Sequence, residues 1–344
     1  MQKYKLSATW PNLFCHVAEL SYLCTLKMTQ KETDIMYTRR CMQLAANGLG
    51  RVRPNPLVGC VVVDSDGHIV SEGYHQYYGG WHAERNALLH ASQLSNFNFQ
   101  HSTLYVNLEP CSHYGKTPPC ADLIVEKGVK RVVCCNDDPN PLVSGHGFRK
   151  LEEAGIEVVR HVLEEEGREL NRRFFTFMEQ HRPYIILKWA QTADGFMAPA
   201  TKDKYWISSR FQTVVSHRLR TSEAAILVGS QTYLDDRPQL TARLFGGSDP
   251  LPVVLDRRGR LSDVPAHWLH LRCATLAEVM QTLFDRKVQS LIVEGGRQIL
   301  DAFIAEGLYD EVYLFRSPIR YGDGLRAPAV PPVAPGRLHV IDPF

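Results

Sequence analysis

The sequence predicts two consecutive domains of the α/β class. Predicted strands alternate with predicted helices from about residue 33 to 160, and a second alternating series begins at Pro183. The 344 residues of the chain are enough for two domains of ordinary size. A charged segment joins the two series, so we expect domains at residues 33–160 and 183–344 with a linker helix at residues 161–182.

The composition is that of an ordinary globular protein, with 44% hydrophobic and 22% charged residues. A net charge of +2 offers no extended basic surface, so we expect no nucleic-acid partner. No apolar run approaches the ~20 residues that a membrane helix needs, so we expect no membrane partner. Nine cysteines without a regular framework favour a reducing, cytoplasmic location over a disulfide scaffold.

The first residues, up to about residue 32, make a poor signal peptide, because no basic segment is followed by a clean apolar run. Met28 lies just before the first predicted helix, so the native start is either Met1 or Met28. That helix is expected to run from Thr33, as its N-cap, to Gly50.

The first series combines a hairpin with strand–helix alternation. The hairpin turn is predicted at residues 65–67. A largely parallel continuation would bring the helix starts near His82 and Cys120 to the same end of the sheet. The predicted strands lie at residues 57–64, 68–73, 103–108, 131–135 and 156–159, and the later helices at a segment opening at residue 82, at 120–127 and at 148–154.

Three residues of this domain have the chemistry of a catalytic zinc site. His82, Cys111 and Cys120 can supply three protein ligands and leave a fourth position for water. Glu84 is two residues from His82, which suits a carboxylate that moves protons between that water and a leaving amine. This order of residues follows the signature of zinc deaminases that act on nucleobases. Ordinary buried cysteines and a surface histidine are the weaker alternative, because all the motifs fall in one segment.

Two turns near this motif are unusual. Eight residues, 112–119, separate the two cysteines, whereas the common zinc-deaminase signature has two. Residues 53–56, Arg-Pro-Asn-Pro, predict a rigid turn, in which Asn55 is either a turn former or an amide directed at a substrate. The residues alone favour the turn former.

In the second series, two glycines follow the strand predicted at residues 291–294. Gly295 and Gly296 stand between a strand and a helix start, where backbone N–H groups can bind phosphate, although tight packing also uses glycine there. Arg218, Arg220 and Arg243 are either phosphate ligands or solvated surface residues. Predicted strands lie at residues 184–189, 224–229, 253–256, 291–294 and 310–317, and helices at residues 163–180, at a segment capped by Ser208 or Ser209 and ending near 220, and at 297–305.

From about residue 33 to 320 the chain resembles the RibD family of bifunctional riboflavin-biosynthesis proteins, in which a pyrimidine deaminase is fused to a reductase. The long spacing between the cysteines is specific to this family. The motifs that carry the resemblance are R-P-N-P at residues 53–56, H-A-E at 82–84, E-P-C-S-H-Y-G-K-T-P-P-C at 109–120, Lys188 with T-A-D-G at 192–195, W-I-S at 206–208, V-G at 228–229, T-Y-L-D-D-R-P-Q-L-T-A-R at 232–243 and V-E-G-G at 293–296.

The resemblance implies a cytidine-deaminase-like three-layer N-terminal domain and a dihydrofolate-reductase-like C-terminal domain. It implies zinc-dependent deamination of a small pyrimidine ribosyl phosphate, followed by reduction of its ribosyl group with NADPH. It also implies a homo-oligomer. For Asn55 it reverses the preference for a turn former.

The residue roles that the resemblance implies fall into two sets. In the deaminase set, the zinc ligands are His82, Cys111 and Cys120, and the proton carrier is Glu84. The substrate contacts of this set are Asn55, His75 and Lys116. The reductase set has cofactor contacts at Ala190, Trp206, Thr232, Asp236 and Gly296, and substrate contacts at Lys204, Arg220, Leu240, Arg243 and Glu294. Lys204 stands where many members of the family have serine.

Three other functions compete with this interpretation. A deaminase of tRNA or free nucleosides would have the short cysteine spacing and no reductase half. A structural zinc module or pathway scaffold would lack Glu84 or a ligand. The third alternative is an active deaminase with a decayed reductase domain.

Overall fold

The computed structural model describes residues 28–95, 97–114, 118–141, 143–201 and 206–343. The predictions for Lys116, for Lys204 and for the segment before Met28 therefore lie outside the described residues. Within these ranges, no helix combines the length and the apolar character needed to cross a membrane.

The first domain has three layers. A five-stranded sheet has the order β2-β1-β3-β4-β5, antiparallel between β1 and its two neighbours and parallel from β3 to β5. The elements are α1 (Gln30–Ala46), β1 (Gly59–Val63), β2 (Ile69–Tyr74), α2 (Ala83–Ala91), a short 3₁₀ helix (Phe99–His101), β3 (Thr103–Leu108), α3 (Cys120–Lys127), β4 (Arg131–Asn136), α4 (His146–Glu153) and β5 (Glu157–Val159).

The two faces of this sheet carry different helices because side chains alternate along each strand. Cys60 and Val62 of β1 pack in a core with α2, α3 and α4. Val61 and Val63 of the same strand pack against α1 on the opposite face. The predicted strand–helix pattern and its parallel continuation are confirmed.

The predicted N-cap of the first helix was wrong. Thr29, not Thr33, caps α1, and it forms a capping box with Glu32: the Glu32 backbone N–H donates to the Thr29 hydroxyl over 3.3 Å and the Thr29 N–H donates to the Glu32 carboxylate over 2.8 Å. A threonine followed three residues later by glutamate satisfies two otherwise unpaired N–H groups, which a cap at Thr33 would not achieve.

The segment predicted as one linker helix forms two, α5 (Glu164–Leu170) and α6 (Arg172–Gln180). Asn171 separates them. Its side-chain amide accepts a hydrogen bond from the Leu57 N–H over 2.8 Å and donates to the Leu57 carbonyl over 2.9 Å. We infer that these two hydrogen bonds with the Leu57 backbone favour a break at Asn171 over one continuous helix.

The second domain contains a seven-stranded parallel sheet of order β10-β9-β8-β11-β6-β12-β14, with a two-stranded ribbon of β7 and β13 beside it. Apolar cores cover both faces. The elements are β6 (Tyr184–Gln191), β7 (Phe196–Pro199), α7 (Arg210–Ser222), β8 (Ala225–Gly229), α8 (Ser230–Asp236), β9 (Leu251–Leu255), β10 (Leu269–Leu271), α9 (Leu276–Asp285), β11 (Ser290–Glu294), α10 (Arg297–Ala305), β12 (Glu311–Arg316), β13 (Gly324–Arg326) and β14 (Leu338–Ile341).

Ser209 caps α7, as one of the two predicted alternatives, through a capping box with Gln212. Elements α8, α9, β7, β10, β13 and β14 were not predicted from the sequence. A signal for α9 was present, because Thr275 and Glu278 have the spacing of a capping box and form one in the structure.

The two domains meet at the amino-terminal ends of the strands of the second sheet. Arg173 of α6 forms an ion pair with Glu223, which is fully buried just before β8, through a 2.7 Å hydrogen bond from Nε. Gly50 approaches the Thr221 carbonyl so closely that a Cβ would lie 2.3 Å from that oxygen. The domains therefore form a packed interface.

Candidate active sites

The ends of strands and the starts of helices position the three predicted zinc ligands. His82 is the N-cap of α2, and Cys120 is the first residue of α3, directly after two prolines that suit a helix start. Cys111 follows β3 by three residues, and its carbonyl accepts a hydrogen bond from Ala121 over 3.1 Å, which ties the end of the strand to the start of α3. The two ends of the loop between the cysteines thus lie together, as the spacing predicted.

The ligand atoms of these residues converge. His82 Nδ1 lies 3.5 Å from the Sγ atoms of both Cys111 and Cys120, and the Cys120 backbone N–H donates to Cys111 Sγ over 3.3 Å. Hydrogen bonds from Cys120 and His82 lower the pKa of the Cys111 thiol. One imidazole and two sulfurs within 4.8 Å of one another fit the donor set of a three-ligand zinc site.

Glu84 lies beside this cluster and is only 3% exposed. Burial raises the pKa of its carboxyl to about 7, although the nearby His82 charge opposes the shift. A carboxyl group with a pKa near neutrality can both accept and return a proton at physiological pH. Its position and burial therefore suit the predicted proton carrier.

The structure also brings two predicted substrate residues together. His75 Nδ1 lies 2.9 Å from the Trp81 carbonyl oxygen, so this nitrogen carries the proton and donates. His75 Nε2 is then the acceptor for the Asn55 amide, at 3.0 Å from Nδ2. The rings of His75 and His82 meet edge to face at 5.4 Å. Asn55 thus has a defined side-chain orientation near the three predicted zinc ligands.

Glu109 is a site residue that the sequence analysis missed. Its buried carboxylate accepts hydrogen bonds from the backbone N–H groups of Gly145 over 3.0 Å and Gly147 over 2.9 Å. A Cβ on Gly147 would lie 2.0 Å from the Pro110 carbonyl oxygen, so only glycine allows this approach. Glu109 therefore anchors the loop that carries Cys111, and its place two residues before that cysteine was the available signal.

In the second domain, two predicted substrate residues form an ion-pair cluster. Arg220 Nη2 donates to Glu294 over 2.9 Å, and the Lys188 ammonium lies 3.4 Å from the same carboxylate. Burial opposes ionisation, but Lys188 and Arg220 together lower the pKa of Glu294 to about 2. Burial lowers the pKa of Lys188. The cluster is an ionised, pre-arranged polar surface at the end of β11.

Arg243 and Leu240 lie on the loop after α8. Arg243 donates to the Thr241 hydroxyl over 3.3 Å, and Leu240 is buried with a φ of 54°. Burial lowers the pKa of His217, and the nearby charges of Arg220 and Arg243 lower it further. Arg218 is exposed, which agrees with a solvated surface residue.

The predicted cofactor residues follow the carboxyl ends of three strands. Ala190 is near the end of β6, where it pairs with Phe315 of β12, and Gly296 is the N-cap of α10, two residues after the end of β11. Thr232 of α8 contacts the two glycines: a Cβ on Gly295 would lie 3.0 Å from its Cγ2 atom. Ligands of open α/β sheets bind at such carboxyl ends.

The other two predicted cofactor residues lie nearer the periphery. Asp236 is the last residue of α8, and Trp206 is 84% exposed. Ala190, Thr232 and Gly296 therefore lie on or after three neighbouring strands, β6, β8 and β11, whereas the Trp206 side chain is exposed.

Comparisons with known proteins agree for both halves. Residues 31–136 match the family model of the cytidine and deoxycytidylate deaminase zinc-binding region, and residues 183–335 match that of the RibD C-terminal domain. Riboflavin biosynthesis protein RibD of Aquifex aeolicus is 40% identical over 324 residues, which cover 86% of this chain and 90% of that protein. The Escherichia coli RibD is 34% identical over 337 residues, covering 85% and 90%.

The chain belongs to the RibD family. Solved RibD structures share its fold. A diaminohydroxyphosphoribosylaminopyrimidine deaminase/5-amino-6-(5-phosphoribosylamino)uracil reductase from Thermotoga maritima has a TM-score of 0.79 and 40% identity, and covers 87% of this chain and 90% of its own. Acinetobacter baumannii RibD has a TM-score of 0.80 and 34% identity, with the same coverage.

As a RibD, the chain is a bifunctional enzyme of riboflavin biosynthesis, with a zinc-binding deaminase domain and a reductase domain, and it acts on a small molecule. The alternative of a decayed reductase half is not favoured, because the family model of the RibD C-terminal domain extends over residues 183–335. The cytidine-deaminase-like and reductase folds predicted from the sequence are confirmed.

Proposed function

We propose that the first domain hydrolytically deaminates 2,5-diamino-6-(5-phosphoribosylamino)pyrimidin-4(3H)-one, and that the second reduces the ribosyl group of the product to a ribityl group with NADPH. The observation that carries the first step is the convergence of His82, Cys111 and Cys120 beside the buried carboxyl of Glu84. The name of the Thermotoga maritima relative, which gives a diaminopyrimidine to the deaminase and an aminouracil to the reductase, supports both steps.

In the first step, His82, Cys111 and Cys120 hold the metal. When bound, zinc lowers the pKa of a coordinated water towards neutrality. Glu84 accepts a proton from water and returns it to the departing ammonia, which a carboxyl with a pKa of about 7 can do. Asn55 and His75 orient the pyrimidine, and Lys116 is proposed to contact it as well.

In the second step, residues at the carboxyl ends of the strands would hold NADPH. The N–H groups at the Gly296 helix start would bind its phosphates, with Ala190, Thr232, Asp236 and Trp206 as further contacts. The cluster of Arg220 and Glu294, with Leu240 and Arg243 nearby, binds the ribosyl phosphate, and Lys204 is proposed to contribute. When bound, NADPH would supply a hydride to the anomeric carbon of the ribosyl group, and the ring oxygen released from that carbon would take up a proton.

One experiment separates the two activities. The purified protein is incubated with the diaminopyrimidinone, with and without NADPH, and the products are identified by mass. We expect ammonia release without NADPH, and a further gain of two hydrogens with it. Ammonia release without that gain would contradict the second step, and no ammonia in either sample would contradict the first. Replacing NADPH with NADH tests the cofactor preference.

The remaining parts of the proposal concern the whole molecule. We place the domain boundaries at 33–160 and 183–344, and we propose that the enzyme is a cytoplasmic homo-oligomer. Its molar mass in solution, from light scattering, tests the last point, and a value equal to that of one 39.0 kDa chain would contradict it.

A further inference from the structure

The turn that carries Asn55 is held by a residue of the other domain. Gln289 Nε2 donates a 2.6 Å hydrogen bond to the carbonyl oxygen of Pro54, 235 residues earlier in the chain. Gln289 directly precedes β11 and is only 5% exposed. Its own carbonyl accepts from the Tyr184 N–H over 2.9 Å, so the parallel sheet fixes its backbone. The glutamine thus transmits the position of the reductase sheet to this turn.

From Pro54, a series of side-chain contacts leads to His82, one of the predicted zinc ligands. Asn55 is the next residue, and its amide donates to His75 over 3.0 Å. His75 in turn donates to the Trp81 carbonyl over 2.9 Å, and its ring meets that of His82. A shift of the turn would therefore move the Asn55 amide, whose partner His75 contacts the predicted metal ligand His82.

Other hydrogen bonds around the turn come from the first domain and the linker: the Asn55 N–H donates to the Val52 carbonyl over 2.9 Å, and Asn171 pairs with the Leu57 backbone. A small cavity of about 30 Å³ lies between the domains and is lined by Arg53, Asn55 and Gln289, among others. Arg53 keeps its buried Nη1 atom without a hydrogen-bond partner among the described residues. The hydrogen bond from Gln289 is therefore a specific polar contact between the second domain and this turn.

We propose that Gln289, a residue of the reductase domain, is a positioning residue for deamination. It acts by holding the Asn55 turn in the orientation that binds the pyrimidine, and so the inference rests on the function proposed above for Asn55. Reduction does not depend on it, because Gln289 lies at the amino end of β11 whereas Glu294 and Gly296 lie at and beyond the opposite end.

The test is Gln289→Met in the full-length, zinc-loaded protein, because methionine has a similar length but no donor. We expect KM for deamination to rise about tenfold, the effect of one lost buried hydrogen bond, with kcat little changed, since substrate binding is weakened uniformly. Zinc content and the kinetics of reduction should stay at native values. Gln281→Met, in the same domain but on the exposed surface of α9, is the matched control and should change neither activity.

Comparing deamination with reduction in the same variant distinguishes a positioning role of Gln289 from a role in folding. Unchanged deamination in Gln289→Met would overturn the inference, and so would an equal loss of both activities, which would assign Gln289 a purely structural role. If this variant does not fold, Gln289→Asn, which keeps the amide but shortens its reach, is measured by the same criteria. Absence of deamination in the native protein would instead contradict the proposed function itself.

Discussion

Thr232 packs against Gly295 without space for a side chain between them, since a Cβ at Gly295 would lie 3.0 Å from Thr232 Cγ2. Gly295 also has a φ of +85°, which L side chains rarely adopt. This contact joins the turn after β11 to α8, the two elements that carry most of the predicted cofactor residues.

We therefore expect Gly295→Ala to weaken NADPH binding and to lower the free energy of unfolding by about 1–3 kcal/mol. Titration of NADPH fluorescence and urea unfolding measure the two effects. Gly307→Ala is the matched control, because Gly307 has a φ of +67° but no atom within 4 Å of its added Cβ. Equal NADPH affinity in both variants would remove Thr232 and Gly295 from the cofactor site.

Glu84→Gln should bind zinc at the native stoichiometry and lose about 10²–10⁴-fold in deamination, because the amide cannot carry the proton but no ligand is removed. Ammonia release and metal analysis measure the two properties. Glu152→Gln, on an exposed position of α4, serves as the control. Near-native turnover in Glu84→Gln would show that another group moves the proton.

Cys120→Ala should lose zinc and deamination while reduction continues, because two remaining ligands hold the metal too weakly. Metal content after gel filtration is the decisive measurement. Cys273→Ala, in the second domain, should keep all three properties. A stoichiometric metal in Cys120→Ala would mean that a residue outside the predicted set completes the site.

Glu294→Gln should lower the free energy of unfolding by about 3–5 kcal/mol, because it leaves the buried charges of Lys188 and Arg220 without their carboxylate. Reduction should fall with it, whereas deamination should persist at temperatures where the protein is folded. Urea unfolding at pH 7 measures the loss. A change within experimental error would show that the two cations are solvated independently of Glu294.

The same carboxylate predicts a dependence of stability on pH. The pKa of Glu294 is about 2 in the folded chain and its ordinary value is 4.5. A depressed pKa stabilises the fold above the ordinary value, and this contribution disappears as the pH falls from 4.5 towards 2. The difference in unfolding free energy between the native protein and Glu294→Gln should therefore shrink between pH 7 and pH 3. A difference that stays constant would contradict the shifted pKa.

Linear motifs allowed the first site to be predicted, because zinc chemistry restricts the residue types and the helix starts place them. His82, Cys111 and Cys120 accordingly converge as expected. Contacts between distant segments were not predictable in this way. Asn171 breaks the linker helix because its partner, Leu57, is 114 residues away, and Gln289 meets Pro54 only after both domains have folded.

Local competition explains the smaller errors. Thr29 and Thr33 are both acceptable caps by residue type, and only the reciprocal bond to Glu32 decides between them. In the second domain, short elements such as β10 and β14 lie at or near the sheet edges and have three or four residues each, which is too few for a clear periodic pattern.

The domains meet at the amino ends of the second sheet, whereas the predicted nucleotide groove follows its carboxyl ends. If the proposed function holds, we expect the product of the first site to reach the second by diffusion around the second sheet, so that the second reaction responds to the bulk concentration of this intermediate. Dilution of the enzyme should lengthen the lag before reduced product accumulates, as it would for two unlinked catalysts sharing one solution.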